Sequence, residues 1–233
     1  EVFQCGLSRI RATHMFWALR DVTFTVSPGH MLGIVGSNGA GKSTLLRLLS
    51  GLSKPDDGRA MMFGRADALL DLGTGFHPDL TGRENVYVNG VINGLTRREI
   101  SHRFDSIVQF AELEEFIDSP LRTYSTGMQM RLAFAVATHT HPEVLLIDEV
   151  LAVGDLAFQR KCLDRIGEFK AEGCSIVLVS HDTDLVAKLC DEALWLRGGR
   201  MAAYGGSHDV VRQYVNGTAL EQETSDWTGV GEL

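Results

Sequence analysis

The sequence predicts an α/β fold in which a mostly parallel sheet carries an inserted helical lobe, and three observations support this fold class. Short apolar runs at residues 31–35, 143–148 and 174–180 are typical of buried strands. Segments with helical spacing of apolar residues lie between these runs. The resulting order is strand, helix, helical insertion, strand, helix, strand, which is the order of a mostly parallel sheet with crossover helices.

The first half of the chain follows this scheme closely. The run "MLGIV" (31–35) predicts the first strand, and "STLLRLLSGL" predicts a helix that ends at Gly51. Residues 56–82 are rich in glycine and aspartate, which indicates loops and short strands. From Gly82 to about Phe116, apolar residues recur at every third and fourth position, so helices are expected there.

The second half begins with "RTYSTGMQMRLAFAVA" (122–137), which predicts a helix with Ser125 or Thr126 as its cap and apolar residues on nearly every face. After the strand "EVLLID", an amphipathic helix is expected to end at Gly173. The segment "LWLRGGRMAAYGG" (194–206) predicts a hairpin around a Gly-Gly turn. The tail from Thr218 is polar, and we interpret it as a linker.

Composition and charge exclude several classes of protein. The formal net charge is −8 and the basic residues are scattered, so no nucleic-acid partner is expected. The cysteines form no C-x-x-C pair, which indicates buried or idle thiols in a reducing cytosol: Cys5, Cys162, Cys174 and Cys190. No apolar run approaches the ~20 residues of a membrane helix. We therefore predict a cytoplasmic chain, and one that is part of a longer protein because it begins without methionine.

The run "GSNGAGKST" fits the phosphate-binding loop G-x-x-x-x-G-K-[ST] and lies between a predicted strand and a predicted helix. Its glycines allow backbone N–H groups to point at phosphate oxygens, and the lysine supplies a cation for the β- and γ-phosphates of ATP. The serine hydroxyl is expected to bind Mg²⁺. The predicted nucleotide-binding residues are Gly36, Ser37, Asn38, Gly39, Ala40, Gly41, Lys42, Ser43 and Thr44.

Two further motifs are expected at the carboxyl edge of the same sheet. "VLLIDE" places Asp148 and Glu149 at the end of a buried strand, where one carboxylate would hold Mg²⁺ and the next would orient or deprotonate the attacking water. His181 follows the third strand in "VSHD" and could donate a hydrogen bond to the γ-phosphate. Taken alone, a loop histidine without a role is the more common case. The role assigned to His181 therefore depends on the motifs expected beside it.

The motifs "GSNGAGKST", "YSTGM", "VLLIDE" and "VSHD" stand in this order, and together they resemble the nucleotide-binding subunit of ABC transporters from about Trp17 to Val215. The resemblance implies a RecA-like P-loop NTPase core with an N-terminal antiparallel β region and a helical subdomain at about 82–141. It also implies a head-to-tail homodimer around two MgATP. Signature residues would then act in trans on the partner's nucleotide: Ser125, Thr126, Gly127 and Met128.

The signature departs from the general L-S-G-G-Q of that family, because Tyr124, Thr126 and Met128 replace its first, third and fifth letters. Ser125 and Gly127 remain. This variant is similar to the signature of ATPases that export lipid-linked polysaccharides of the O-antigen, teichoic acid and capsule types. The resemblance assigns Asp155 to the D-loop at the dimer seam, and a plain helix cap is an alternative that is compatible with this role.

Two features depart from the family pattern, and the tail supports a further hypothesis. The usual Q-loop glutamine is absent, and Asp71 is the nearest polar candidate for its role near Mg²⁺, although an ordinary loop acid is equally plausible. Phe16 or Trp17 could stack on adenine, and core packing is the alternative for both. Within the polar tail, residues 218–233, "DWTGVGEL" resembles the first strand of a carbohydrate-binding β-sandwich, so residues 1–217 are predicted to be the ATPase domain of a longer protein.

These observations predict an ATP-hydrolysing subunit, peripheral on the inner face of the cell membrane, that drives polysaccharide export through a membrane subunit on a separate chain. The run "GFHPDLTGREN" (75–85) is the expected docking surface for that subunit. An ABC ATPase for a different cargo remains an alternative. A soluble ABC ATPase of DNA or ribosomes usually carries a coiled-coil insertion or two cassettes, and neither fits in 233 residues. A GTPase is disfavoured because no N-K-x-D motif is present.

Overall fold

A six-stranded sheet forms the centre of the computed structural model, which describes residues 16–69, 73, 75–148 and 154–228. The strand order is β2-β3-β4-β1-β5-β6; the first five strands are parallel, and β6 is antiparallel to β5. The strands are β1 (Met31–Val35), β2 (Ala66–Leu69), β3 (Val144–Asp148), β4 (Ser175–Val179), β5 (Glu192–Arg197) and β6 (Arg200–Gly206).

The helices divide between the sheet and a separate lobe. The helices of the core are α1 (Lys42–Leu49), α5 (Leu156–Ala171), α6 (Thr183–Leu189) and α7 (Ser207–Thr228). The helices of the lobe are α2 (Gly82–Ile92), α3 (Arg97–Ala111) and α4 (Thr126–Ala137), with a short 3-10 turn before α4. Within the described residues, none of these helices has both the length and the apolarity that a membrane crossing requires.

Apolar residues pack in three clusters that explain this arrangement. Two clusters cover opposite faces of the sheet, because successive residues of each buried strand point to alternate faces. The third cluster lies inside the lobe between α2, α3 and α4. Helix α4 belongs to both parts, since Phe134 packs in a sheet cluster while Leu132 and Val136 pack in the lobe. The predicted all-round apolar character of α4 is therefore confirmed, and it joins the two parts.

Both leading helices of the lobe begin with a complete capping box. Thr81 accepts a hydrogen bond from the Glu84 N–H, and the Glu84 carboxylate accepts one from the Thr81 N–H at 2.8 Å. Thr96 and Glu99 form the same reciprocal pair at the start of α3. These pairs satisfy backbone donors that a helix start leaves free, which is why the helices begin where they do.

The cysteines in the described part of the chain are buried, as their spacing predicted. Cys162, Cys174 and Cys190 are free thiols, and burial raises the pKa of each to about 12. Because the thiolate is the reactive form, these groups are chemically inert at neutral pH.

Two expectations about the ends of the chain require correction. Residues 16–30 contain no strand, and the antiparallel pairing lies instead between β5 and β6 near the C-terminus. The N-terminal segment packs apolar side chains, among them Val22 and Phe24, against a sheet cluster, and it is also held by hydrogen bonds such as that from Tyr204 Oη to the Thr25 carbonyl at 3.1 Å. Helix α7 continues past residue 217 to Thr228, so the start of "DWTGVGEL" is helical rather than the strand that its resemblance implied. The last residues, 229–233, lie outside the described part.

Candidate functional site

The carboxyl ends of three neighbouring strands bring the predicted catalytic groups to one edge of the sheet. β4 pairs with β1 on one side, where Ile34 is opposite Val179, and with β3 on the other, where Asp148 is opposite Val179. The phosphate-binding loop follows β1, Asp148 ends β3, and His181 comes two residues after β4. Open α/β sheets bind their ligands at this edge, so the three motifs form one candidate site.

The phosphate-binding loop curls back on itself before α1. The Lys42 Nζ donates hydrogen bonds to the carbonyl oxygens of Gly36 at 2.7 Å and Ser37 at 3.1 Å, across the loop. Lys42 is 7% exposed, so its charge is held close to the loop. Helix α1 begins at Lys42, and no side chain caps it. Its first N–H groups and the positive end of its dipole are therefore available to bind an anion such as phosphate.

Gly41 is a position of this loop where both the backbone conformation and the available space favour glycine. Its φ is 106°, and a Cβ there would lie 2.8 Å from the Ala18 carbonyl oxygen. The N-terminal segment thus packs directly against the loop. Phe16 and Trp17 precede this contact and are 86% and 61% exposed, so the alternative that either packs in the core is wrong. Their contact with adenine stays a prediction.

The groups expected to hold Mg²⁺ are oxygen donors at the same edge. Ser43 is exposed in the first turn of α1, and Asp148 is half-buried at the end of β3. Hydroxyl and carboxylate oxygens are the ligands that Mg²⁺ prefers, so this donor set fits the ion. His181 is exposed beyond β4. Glu149 and Asp71 lie outside the described residues, and their predicted roles remain predictions.

The signature lies on the lobe, at the N-terminus of α4. Ser125 is the cap, because its Oγ accepts a hydrogen bond from the Met128 N–H at 3.2 Å. Ser125 and Thr126 are exposed and Gly127 is half-exposed. Met128 packs partly against the lobe cluster, so it contributes to packing as well as to the tip. The tip of α4 therefore presents small polar groups and the free N–H groups of a helix start.

Tyr124, the first unusual letter of the signature, is buried rather than exposed. Its hydroxyl donates a hydrogen bond to the Phe116 carbonyl at 2.6 Å, and burial raises the pKa of the phenol. The hydroxyl occupies space next to Gly82, where a Cβ would come within 2.2 Å of it. The sequence analysis missed this pairing, because the two residues are 42 positions apart and no local pattern joins them.

The segment 75–85, expected to be a docking surface, is held in shape by one buried amide. The Asn85 side chain accepts a hydrogen bond from the His77 N–H at 2.7 Å and donates to the carbonyl oxygens of His77, Leu80 and Thr81. Asn85 is fully buried. The loop is therefore a preformed surface rather than an open connection.

Asp155 caps α5, as one of its two interpretations predicted. Its Oδ1 accepts hydrogen bonds from the N–H groups of Ala157 at 3.0 Å and Phe158 at 2.9 Å. Its Oδ2 accepts from Arg131 on α4 at 2.6 Å. Sequence analysis assigned no role to Arg131, and only the folded chain brings it to Asp155.

Comparison with known proteins agrees with this geometry. A family model described as "ABC transporter" matches residues 19–152. "O-antigen export system ATP-binding protein RfbB" of Myxococcus xanthus is 48% identical over 94% of this chain and 50% of that protein. A protein of the same name from Klebsiella pneumoniae is 46% identical over 88% of this chain and 83% of its own length. This chain therefore spans half of the first relative and most of the second.

A third relative is named for a different cargo. "Teichoic acids export ATP-binding protein TagH" of Listeria monocytogenes serotype 4b is 41% identical over 85% of this chain and 59% of that protein. Among solved structures, one described as "Structure of ATP binding subunit of ABC transporter" is 28% identical with a TM-score of 0.75, and covers 84% of this chain and 87% of its own.

A second solved structure shares the fold alone. It is described as "Dimeric structure of a post-hydrolysis state of the ATP-binding cassette MJ0796 bound to ADP and Pi", and is 23% identical with a TM-score of 0.68. It covers 82% of this chain and 90% of its own. The family model matches more than half of the chain, and the second relative is 46% identical over 83% of its own length. The chain therefore belongs to the ABC transporter family, as an ATPase domain.

Proposed function

We propose that this chain binds and hydrolyses MgATP to drive the export of a lipid-linked polysaccharide through a membrane subunit on a separate chain. The observation that carries the proposal is the 46% identity to an O-antigen export ATPase over 83% of that protein. Relatives named for teichoic acid export support the broader cargo class. In this proposal the chain works in the cytoplasm, at the inner face of the membrane.

Each residue at the sheet edge would have its own role in ATP hydrolysis. Lys42 and the N–H groups of the loop and α1 would hold the β- and γ-phosphates, with Trp17 or Phe16 against adenine. Ser43 and Asp148 would hold Mg²⁺, with Asp71 as a further candidate, and the bound ion would neutralise phosphate charge. Glu149 would accept a proton from the attacking water, whose oxygen bonds to the γ-phosphorus as the bond between the γ-phosphorus and ADP breaks. His181 would donate a hydrogen bond to the γ-phosphate.

The second half of the site would come from another copy of the chain. Ser125, Thr126, Gly127 and Met128 lie at the tip of α4, and its exposed hydroxyls and free helix N–H groups suit a phosphate. ATP would then favour a head-to-tail dimer, because the γ-phosphate contacts both copies. Hydrolysis removes that contact and allows the dimer to open. The dimeric cassette that shares this fold supports such an assembly.

The membrane subunit would dock on the lobe beside segment 75–85. A cavity of about 200 Å³ opens there, lined by Gly73, Phe76, Pro78, Leu121, Gln129 and Met130. On α2 nearby, Val88, Val91 and Ile92 are exposed by 39%, 51% and 60%. Their spacing of three and four places them on one face of the helix, which is the pattern that binds an apolar partner surface.

The test of the proposed function is Glu149→Gln. This change keeps the size of the side chain but removes the base, so ATP binding should persist while turnover falls by at least about 100-fold. The ATP-bound dimer should then accumulate and be visible by size exclusion. Turnover at the parental rate would show that Glu149 is not the base, and a monomer at saturating MgATP would contradict the dimer.

The cargo is tested separately by co-expression with candidate membrane subunits in cells that make a lipid-linked polysaccharide. Co-purification and accumulation of unexported polysaccharide in the Glu149→Gln strain would support export. Co-purification with ribosomes or DNA, and no membrane protein, would favour the soluble ABC ATPase instead.

A further inference from the structure

Arg131 lies on α4, and its guanidinium is the meeting point of three elements. Its Nη1 donates a hydrogen bond to Glu112 Oε2 at 2.9 Å, and its Nη2 donates to Asp155 Oδ2 at 2.6 Å. The guanidinium carbon lies 5.0 Å from the centre of the Phe158 ring. The side chain of Arg131 is 20% exposed, whereas its partners Glu112 and Asp155 are 52% and 63% exposed, so it is the arginine that the fold holds in place.

Glu112 is held in a backbone conformation that glycine adopts more easily. It follows α3 with φ 57° and ψ 48°, in the left-handed region. Its carboxylate bridges two cations, because Oε2 accepts from Arg131 and Oε1 accepts from Lys161 at 3.2 Å. A residue that keeps an unfavourable conformation in order to place its side chain indicates a structural or functional demand on that side chain.

Asp155 divides its two oxygens between two tasks. Oδ1 caps α5, and Oδ2 receives the guanidinium of Arg131. The hydrogen bond from the Phe158 N–H is the main cause that keeps the pKa of Asp155 below its usual range; burial opposes it, and the charge of Arg131 adds to the lowering. Asp155 is therefore ionised at neutral pH, and the start of α5 is tied to α4 through one side chain.

We propose that Arg131 is a positioning residue that fixes the spacing between the signature tip of α4 and Asp155, so that both meet the second copy as one surface. The proposal rests on the proposed function, in which the tip acts in trans, and on the predicted place of Asp155 at the dimer seam. Arg131 follows the cap Ser125 by six residues, about 9 Å along the helix axis, so it acts through α4 rather than by touching nucleotide. Displacement of a reacting group by about 1 Å can cost about 100-fold in rate.

The chain offers a matched control in Lys161. This side chain also pairs with Glu112, and its Nζ lies 4.8 Å from the centre of an aromatic ring, that of Phe110. Its recorded bonds go to Glu112 and to the carbonyl oxygens of Gln109 and Phe110, at the end of α3, rather than to Asp155. Lys161→Met therefore removes a comparable cation and leaves the tie between α4 and α5 in place.

The experiment compares Arg131→Met with Lys161→Met in the full chain, with and without Glu149→Gln. Arg131→Met should lower turnover, and the ATP-held dimer of the Glu149→Gln background, by at least about tenfold, while ATP affinity of the monomer stays within about twofold. Lys161→Met should change each quantity by no more than about twofold. This separation of kcat from ATP affinity is one that general loss of folding would not produce.

A second variant, Asp155→Asn, keeps an oxygen that can cap α5 but removes the charged partner of Arg131. It should lower turnover at least as much as Arg131→Met does, and the double variant should be no worse than Asp155→Asn alone, since both changes remove the same tie. Additive losses would overturn the proposal. So would parental turnover in Arg131→Met, or an equal fall in its ATP affinity. A Glu149→Gln protein that forms no dimer with ATP would contradict the proposed function itself.

Discussion

The phosphate-binding edge of the sheet and the helical lobe are built in different ways. At the edge, the key contacts are local: the Lys42 amine reaches carbonyl groups five and six residues earlier in the chain. In the lobe, the shape depends on side chains that are distant in sequence, such as Arg83 and Asp118, which form an ion pair of 2.6 Å across 35 residues. The phosphate-binding loop is thus encoded in one motif, whereas the position of the α4 tip depends on tertiary contacts.

The largest effect is expected from Lys42→Ala, which changes the locally encoded phosphate-binding loop. Loss of a buried, hydrogen-bonded cation from the phosphate site should weaken ATP binding by at least about 30-fold, equivalent to about 2 kcal/mol or more. Lys54→Ala, which removes an exposed lysine soon after α1, is the control and should bind ATP normally. Titration of ATP against both variants measures the difference. Normal affinity in Lys42→Ala would contradict the assignment of the phosphate-binding loop.

Gly82→Ala tests the dependence of the lobe on contacts between residues that are distant in sequence. A Cβ at this position would lie 2.2 Å from the Tyr124 hydroxyl and 3.0 Å from the Ile117 carbonyl, so the change should destabilise the protein by about 1–3 kcal/mol. In a Tyr124→Leu background the hydroxyl is gone, so Gly82→Ala should lower the free energy of unfolding by clearly less. Urea unfolding of the four proteins gives the comparison.

Gly167→Ala in α5 is the matched control for this change. A Cβ there would meet no atom within 4 Å, so alanine should stabilise the helix by up to about 1 kcal/mol. An equal cost of Gly82→Ala in the Tyr124 and Tyr124→Leu backgrounds would show that Gly82 does not make room for the hydroxyl. The signature would then depend less on distant contacts than we infer.

The smallest expected effect is the response of the lobe to acid. Hydrogen bonds to Thr81 and Thr96 lower the pKa of Glu84 and Glu99, and the bond from Arg83 lowers that of Asp118. Because the folded pKa lies below the unfolded value, each carboxylate contributes stability at higher pH that is lost as the pH falls through the folded pKa. The helix starts should therefore weaken below pH about 4.5, the ordinary value for glutamate.

Thermal unfolding followed by circular dichroism between pH 6 and 3.5 measures this effect. The variant Glu84→Gln/Glu99→Gln retains the side-chain acceptors of both capping boxes but cannot titrate, so its midpoint should fall less steeply with acid. Equal slopes for the two proteins would indicate that these carboxylates contribute nothing to the pH response of the lobe.

Several elements were predicted correctly because their determinants are local. The buried run 31–35, the Gly-Gly hairpin and the start of α4 at Ser125 each depend on neighbouring residues. β2 was anticipated only as one of several loops and short strands, since a four-residue strand with exposed positions has little pattern of its own. The helical continuation of the tail was missed. Midway along α7, Gly217 lies against Trp195 of β5, a contact that no local pattern predicts.

The sequence by itself determined the chemistry that backbone and motif can carry: the loop that receives phosphate, the acidic strand end, and the polar tip of α4. It did so because strand, turn and helix start are set by residues close together in the chain. Only the tertiary structure decided that Tyr124 needs Gly82, and that Arg131 joins α4 to Asp155. Such contacts depend on how two packed units meet, and packing complementarity between distant segments leaves no periodic trace in the sequence.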